Sequence, residues 1–145
     1  MTEIELKALL RERGMRVTPQ RVLIHSTLLE LERHATAEQV LERVAQRLPN
    51  ASLPTVYSAL ELFEQLGLVR RVATAGGAAV WDARTDGHPH FVCDRCACVE
   101  DVEAPLDATP AMKVARDLGM VPRAAELVLT GLCPKCASAV GLDRN

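Results

Sequence analysis

Through the first half of the chain, apolar residues recur at helical spacing between residues suited to helix caps. Thr2 and Glu5 stand at capping-box distance, Ile4, Leu6, Leu9 and Leu10 follow, and Gly14 closes the run. Thr18-Pro19 supplies an N-cap and a proline at the first helical position, opening a second helix through Val22, Leu23, Leu28, Leu29 and Leu31. Thr36 with Gln39 begins a third, carrying Val40, Leu41, Val44 and Leu48 until Pro49 stops it. Ser52, with a proline two residues on, begins a fourth, in which Val56, Leu60 and Phe63 form one stripe before Gly67.

The period then changes. Leu68 to Val72 and Ala78 to Asp82 are short apolar runs flanking Ala75-Gly76-Gly77, the pattern of a β-hairpin. Helices followed by a hairpin is the order of a winged helix-turn-helix, whose fourth helix here would enter the major groove of DNA. Residues 83–90, ARTDGHPH, form a polar hinge rich in turn formers. Beyond it the pattern predicts strands at Phe91 to Cys93 and Val99 to Glu103, a helix from Thr109-Pro110 to Gly119, and a strand from Glu126 to Leu132. The expected fold class is α+β: a winged-helix DNA-binding domain over 1–82, a hinge over 83–90, and a small α/β dimerisation domain over 91–145.

Composition narrows this little. The chain has 145 residues, 48% of them hydrophobic and 25% charged, enough to bury a core and unlike a disordered chain. Its net charge of −2 gives no overall sign of a nucleic-acid partner, so DNA binding must rest on local placement. No apolar stretch is long enough to span a bilayer, and MTEIELKALL lacks the order of a signal peptide. The expectation is a cytoplasmic protein without a membrane partner, where disulfides are rare.

That setting gives meaning to five cysteines. Cys93-x-x-Cys96 and Cys133-x-x-Cys136 have the spacing at which two thiolates of one turn grip a tetrahedral Zn²⁺. Four thiolates leave no open position, so the expected role is structural. The competing reading is a pair of redox dithiols or buried thiols, but no thioredoxin-like βαβ context surrounds either motif. Cys98 reads as a small residue on a strand, with a redox role as the alternative.

His88-Pro-His90 precedes the first cysteine pair, and alternate residues of an extended segment point the same way. With Asp82, Asp101 and His34 they make a mixed nitrogen and oxygen set. Such a set suits Fe²⁺ or Mn²⁺, with Zn²⁺, Co²⁺ or Ni²⁺ as alternatives. Taken singly, His34 reads as a surface or capping residue and Asp82 as a turn former.

In order, GMRVTPQR (14–21), His34 with TAEQV, SLPTVYSALELFEQLGLV (52–69), WD (81–82), HPHFVCDRC (88–96), Asp101 and GLCPKC (131–136) resemble the ferric uptake regulator (Fur) family from Leu9 to Cys136. The resemblance implies a winged helix, a dimerisation domain, zinc on the two cysteine pairs, and a sensory metal on His34, Asp82, His88, His90 and Asp101. That metal would restrict the interdomain angle and lock a homodimer in a pose that fits a pseudo-palindromic double-stranded operator. Iron sensors of the family usually carry Glu at the position of Asp101, whereas its peroxide-sensing (PerR) branch carries Asp. The expected signal is therefore H₂O₂, with Fe²⁺ at the site leading to oxidation of His34 or His88, loss of the metal and release of DNA. An additional metal site of some iron sensors is not expected, because Gly87, Pro89 and Ala125 stand where its ligands would be.

The resemblance and the local pattern together nominate Arg16, Thr18, Arg21, Ser52, Thr55, Tyr57 and Ser58 as DNA contacts. Arg16 would enter the minor groove, Tyr57 would meet a base edge or thymine methyl, and Arg70 and Arg71 of the wing are further phosphate candidates. Ser58 replaces an arginine common in relatives, and Glu61 and Glu64 make the fourth helix acidic. Other readings are a Fur-type sensor of iron, manganese, zinc or nickel, a zinc-stabilised adaptor without a sensory metal, and, more distantly, a small metallohydrolase. No catalytic residue is nominated, since no spare acid has a clear role, and no small-molecule substrate is expected beyond the metal ion and H₂O₂.

Overall fold

A computed structural model describes residues 1–31, 34–72 and 78–142. It divides into two compact units among the described residues: Met1–Val72 with Ala78–Thr85, and the chain from Asp86 onward. The division falls inside the polar segment 83–90.

The first unit holds α1 (Glu3–Glu12), α2 (Pro19–Glu30), β1 (His34–Thr36), α3 (Ala37–Ala45), α4 (Leu53–Gln65), β2 (Arg70–Val72) and β3 (Val80–Asp82). Its helix boundaries follow from side-chain caps. Thr2 and Thr36 each complete a capping box, with Glu5 and Gln39, and the Thr18 hydroxyl accepts from the Arg21 amide. At the far end of α4, Gly67 takes φ 72°, and the amides of Gly67 and Leu68 donate back to the carbonyls of Glu64 and Phe63. That is a Schellman cap, open to glycine because it carries no Cβ. Leu6, Leu10, Ile24, Leu28, Val40, Val44, Val56, Leu60, Phe63 and Trp81 are buried in one core, so each helix contributes a single apolar stripe.

A strand that the hydrophobic pattern does not reveal completes this unit. β1 pairs antiparallel with β3, which also pairs with β2, giving the order β1-β3-β2. His34 thereby sits on a sheet rather than in a connection between helices. The predicted hairpin strands are present as β2 and β3; its turn at Ala75-Gly76-Gly77 lies outside the described residues.

The second unit contains β4 (His90–Cys93), β5 (Val99–Asp101), α5 (Thr109–Asp117), β6 (Val128–Gly131) and α6 (Pro134–Ala139). β4 is central, antiparallel to β5 and parallel to β6, with α5 in the connection that parallel pairing demands. β4 begins one residue earlier than expected, whereas β5 and β6 are shorter than the expected Val99–Glu103 and Glu126–Leu132. α6, a helix the sequence pattern does not announce, begins directly after Cys133. No helix of the described residues is long and apolar enough to cross a membrane.

Candidate functional site

The pairing of β4 with β6 assembles the four cysteines. Cys93 lies opposite Gly131, so Cys133 arrives two residues beyond the end of the pairing, beside Cys93. The Cys93–Cys96 turn is closed by the Ala97 amide donating to the Cys93 carbonyl, with Ala97 itself at φ 60°. The four sulfurs lie within 4.8 Å of one another, and Cys96 Sγ is 3.8 Å from Cys133 Sγ. Zinc–sulfur bonds of about 2.3 Å in a tetrahedron put sulfurs about 3.8 Å apart, so the cage fits Zn²⁺.

Left to themselves, the thiols differ in acidity. Backbone amides, first that of Cys133 at 3.4 Å from Cys93 Sγ, hold the Cys93 thiol down at about 6. The Cys136 amide lowers Cys133 likewise, while burial pushes Cys136 and Cys98 up to about 12. A divalent cation overrides these differences by displacing the protons.

The His/Asp residues are held in two sets. In the second unit His90 and Asp101 are register partners across β4 and β5, and His90 Nε2 lies 3.6 Å from Asp101 Oδ1. The rings of His88 and His90 stand 4.4 Å apart, tilted by 54°. His88 Nδ1 lies 2.9 Å from the Asp86 carbonyl, which only accepts, so this nitrogen donates and its tautomer is fixed. His88 Nε2 then faces Asp101 Oδ1 at 2.9 Å. An imidazole nitrogen and a carboxylate oxygen this close can both ligate one divalent cation. Bonds of about 2.1 Å to one ion place neighbouring ligand atoms about 3.0–3.4 Å apart, close to these two separations.

In the first unit His34 and Asp82 are register partners across β1 and β3, with His34 Nε2 3.6 Å from Asp82 Oδ2. The other oxygen, Oδ1, accepts from the Arg84 amide at 2.8 Å, which fixes the carboxylate. Asp82, His88 and His90 are all buried. His34, Asp82, His90 and Asp101 thus stand on strands in positions set by backbone pairing, and His88 lies two residues before His90 at the start of β4.

A sequence model of the ferric uptake regulator family matches residues 12–130. The chain belongs to the ferric uptake regulator family. It is a metal-responsive transcriptional regulator, not an enzyme. The peroxide-responsive repressor PerR of Staphylococcus epidermidis is 29% identical over 131 residues, covering 89% of this chain and 86% of that protein. Among solved structures, the ferric uptake regulator of Pseudomonas aeruginosa with manganese is 33% identical, at TM-score 0.69, over 92% of this chain and 99% of that one. A zinc uptake regulator complexed with zinc and DNA is 25% identical, at TM-score 0.68, over 97% and 98%.

As in other Fur-family chains, the first unit is a winged helix. Arg16, Thr18, Arg21, Thr55 and Ser58 line one surface depression between the start of α2 and α4, with Gln20, Pro54 and Ala59. Arg21 donates from its guanidinium to the Arg16 carbonyl, tying the two arginines together. Ser52 does not line it and makes no side-chain cap to α4, but its hydroxyl lies 3.0 Å from that of Thr55, which does line it. Tyr57 is not among the lining residues: its ring packs edge-on against Trp81, 5.6 Å between centroids. Arg71 is engaged with Glu61 and Glu64 of α4, contacts that hydrophobic patterning has no means of finding. In the second unit α5 buries none of its side chains, and Val114, Leu118, Met120 and Val121 stand exposed.

Proposed function

We propose that this Fur-family regulator is a homodimeric repressor that binds a pseudo-palindromic operator duplex in the cytoplasm when a divalent metal is held by His34, Asp82, His88, His90 and Asp101. The observation that carries it is the approach of His88 Nε2 to Asp101 Oδ1 at 2.9 Å, with His90 Nε2 3.6 Å from the same oxygen, the ligand spacing that one divalent cation requires. Cys93, Cys96, Cys133 and Cys136 hold a separate structural Zn²⁺ that keeps the second unit folded. The exposed apolar residues of α5 cover their counterparts in a second copy, which spaces two winged helices for two half-sites. Arg16 and Arg21 supply phosphate contacts, Thr18, Thr55 and Ser58 supply polar contacts from the same depression with Ser52 beside Thr55, and Tyr57, packed on Trp81, supplies an edge contact from the wing side of α4. The domain division proposed is 1–82, a hinge over 83–90, and 91–145, so that ligands from both sides of the hinge bind one ion and fix its angle.

The signal proposed is hydrogen peroxide. The family resemblance implies a peroxide sensor where Asp stands at the position of Asp101, and a peroxide-responsive repressor is among the similar proteins. Fe²⁺ held by these residues would supply the electron that reduces peroxide to an oxidant beside the ligands. The chain's own part is to present His34 or His88 to that oxidant, and to lose its grip on the metal once a ring carries the added oxygen. The test is anaerobic. Zinc-containing protein is loaded with Fe²⁺ or Mn²⁺, given a small excess of H₂O₂, and followed by operator binding and peptide mass. Gain of one oxygen on a peptide holding His34 or His88, with DNA release in the iron form alone, is the expected result. Unchanged mass and retained DNA in both forms reject peroxide sensing and leave metal availability as the signal.

A further inference from the structure

Arg71 and Trp81 are register partners across β2 and β3, so they project from the same face of the wing. α4 meets that face with Tyr57, Glu61 and Glu64, which lie four and seven residues apart on one helical stripe. The Arg71 guanidinium reaches both carboxylates, Nε at 3.6 Å from Glu64 and an outer nitrogen at 3.9 Å from Glu61. It also lies over the Trp81 ring, 5.0 Å from its centroid, while Tyr57 packs on the same indole from the side. One planar cation therefore stacks on the wing and forks onto the helix, a geometry open to arginine and not to lysine.

We propose that Arg71 is a positioning residue for DNA recognition: with Trp81 it clasps the acidic stripe of α4 to the wing and offsets one of the two negative charges of Glu61 and Glu64. This rests on the reading of α4 as the helix that enters the major groove. Within Leu53–Gln65 the only ionised side chains are those two glutamates, on an element that must approach a polyanion with one charge per about 1.7 Å. Without the clasp, α4 presents both carboxylates unscreened to the phosphates, and the Trp81 ring loses the cation stacked on it. Arg71 thus acts through α4 rather than through a phosphate of its own.

The probe is a duplex selected from a random-sequence pool by the parent protein with Mn²⁺. Its binding is followed by fluorescence anisotropy over a salt series for the parent, R71Q, R71K, E61Q/E64Q and R71Q/E61Q/E64Q. R71Q is expected to bind about fivefold more weakly, and R71K to recover only part of that loss. The triple variant is expected to return to within about twofold of the parent, because the repelling carboxylates are gone. A triple variant as weak as R71Q overturns the clasp, most directly if the salt slope also falls by about one, the mark of a lost phosphate contact. Parent-like binding by R71Q overturns it too. If the parent selects no duplex, the functional reading fails instead, and the clasp is still decided without DNA. Trp81 is the only tryptophan of the chain, so R71Q must change its emission or raise its quenching by acrylamide, and an unchanged signal rejects the contact.

Discussion

His25 is buried in the core of the first unit, its ring edge-on to Phe63 at 5.4 Å. Burial lowers its imidazole from the ordinary value, so the folded state keeps it neutral. As pH falls below about 6.5 the unfolded chain takes up this proton while the folded chain does not. Its contribution to stability is therefore complete above that pH and declines beneath it. His25→Leu is expected to flatten the fall in Tm between pH 6.5 and pH 5, measured by thermal melts of both proteins; parallel falls contradict it. At this scale the sequence is uneven. The cysteine pairs declare themselves through spacing alone, because two thiolates on one turn is a local requirement. His34 and Asp82 do not, because only the pairing of β1 with β3 makes them neighbours, and without the family resemblance His34 reads as a surface or capping residue and Asp82 as a turn former.

Elements were legible where their ends carry chemistry. Thr2, Thr18 and Thr36 cap α1, α2 and α3 as the spacing of their partners indicates, and Gly67 ends α4 by its positive φ. β1 escaped notice because three residues are too few to show a period, and Thr36 already serves as a helix cap. α6 is likewise a six-residue helix whose opening is set by Cys133, a residue read for its metal chemistry. α5 shows the converse: its amphipathic pattern is plain, yet its apolar residues face outward. Exposed Val114 and Leu118, at 58% and 70%, are a turn apart and make sense as the face that a second copy covers. V114E/L118E is expected to convert the protein to monomer in light scattering with its first unit still folded. An unchanged mass places the dimer contact elsewhere.

The two units differ most in how they are held together. The first has a continuous core built from four helices and a sheet, whereas among the described residues of the second only Val92, Cys93 and Cys133 appear as buried hydrophobics. So small a core does not offset the chain entropy of its residues, and zinc contributes what is missing, on the order of 10 kcal/mol for sites of this kind. Removing zinc with a strong chelator, or Cys93→Ser, is expected to unfold the second unit and leave the first near its parent stability. Hydrogen exchange resolved by segment reads this out; uniform protection after zinc loss contradicts it.

Regulation belongs to the whole molecule, since the proposed ligands come from both units. The most direct measurement is a Mn²⁺ titration of zinc-containing protein with a selected duplex, followed by anisotropy, for the parent and for His88→Ala. The parent is expected to bind at least about tenfold more tightly with Mn²⁺ than without, in the usual range of coupling between two sites. His88→Ala is expected to bind weakly at every Mn²⁺ concentration while retaining its zinc. Equal affinity with and without Mn²⁺, or a variant that responds like the parent, contradicts control of DNA binding by a metal at His88.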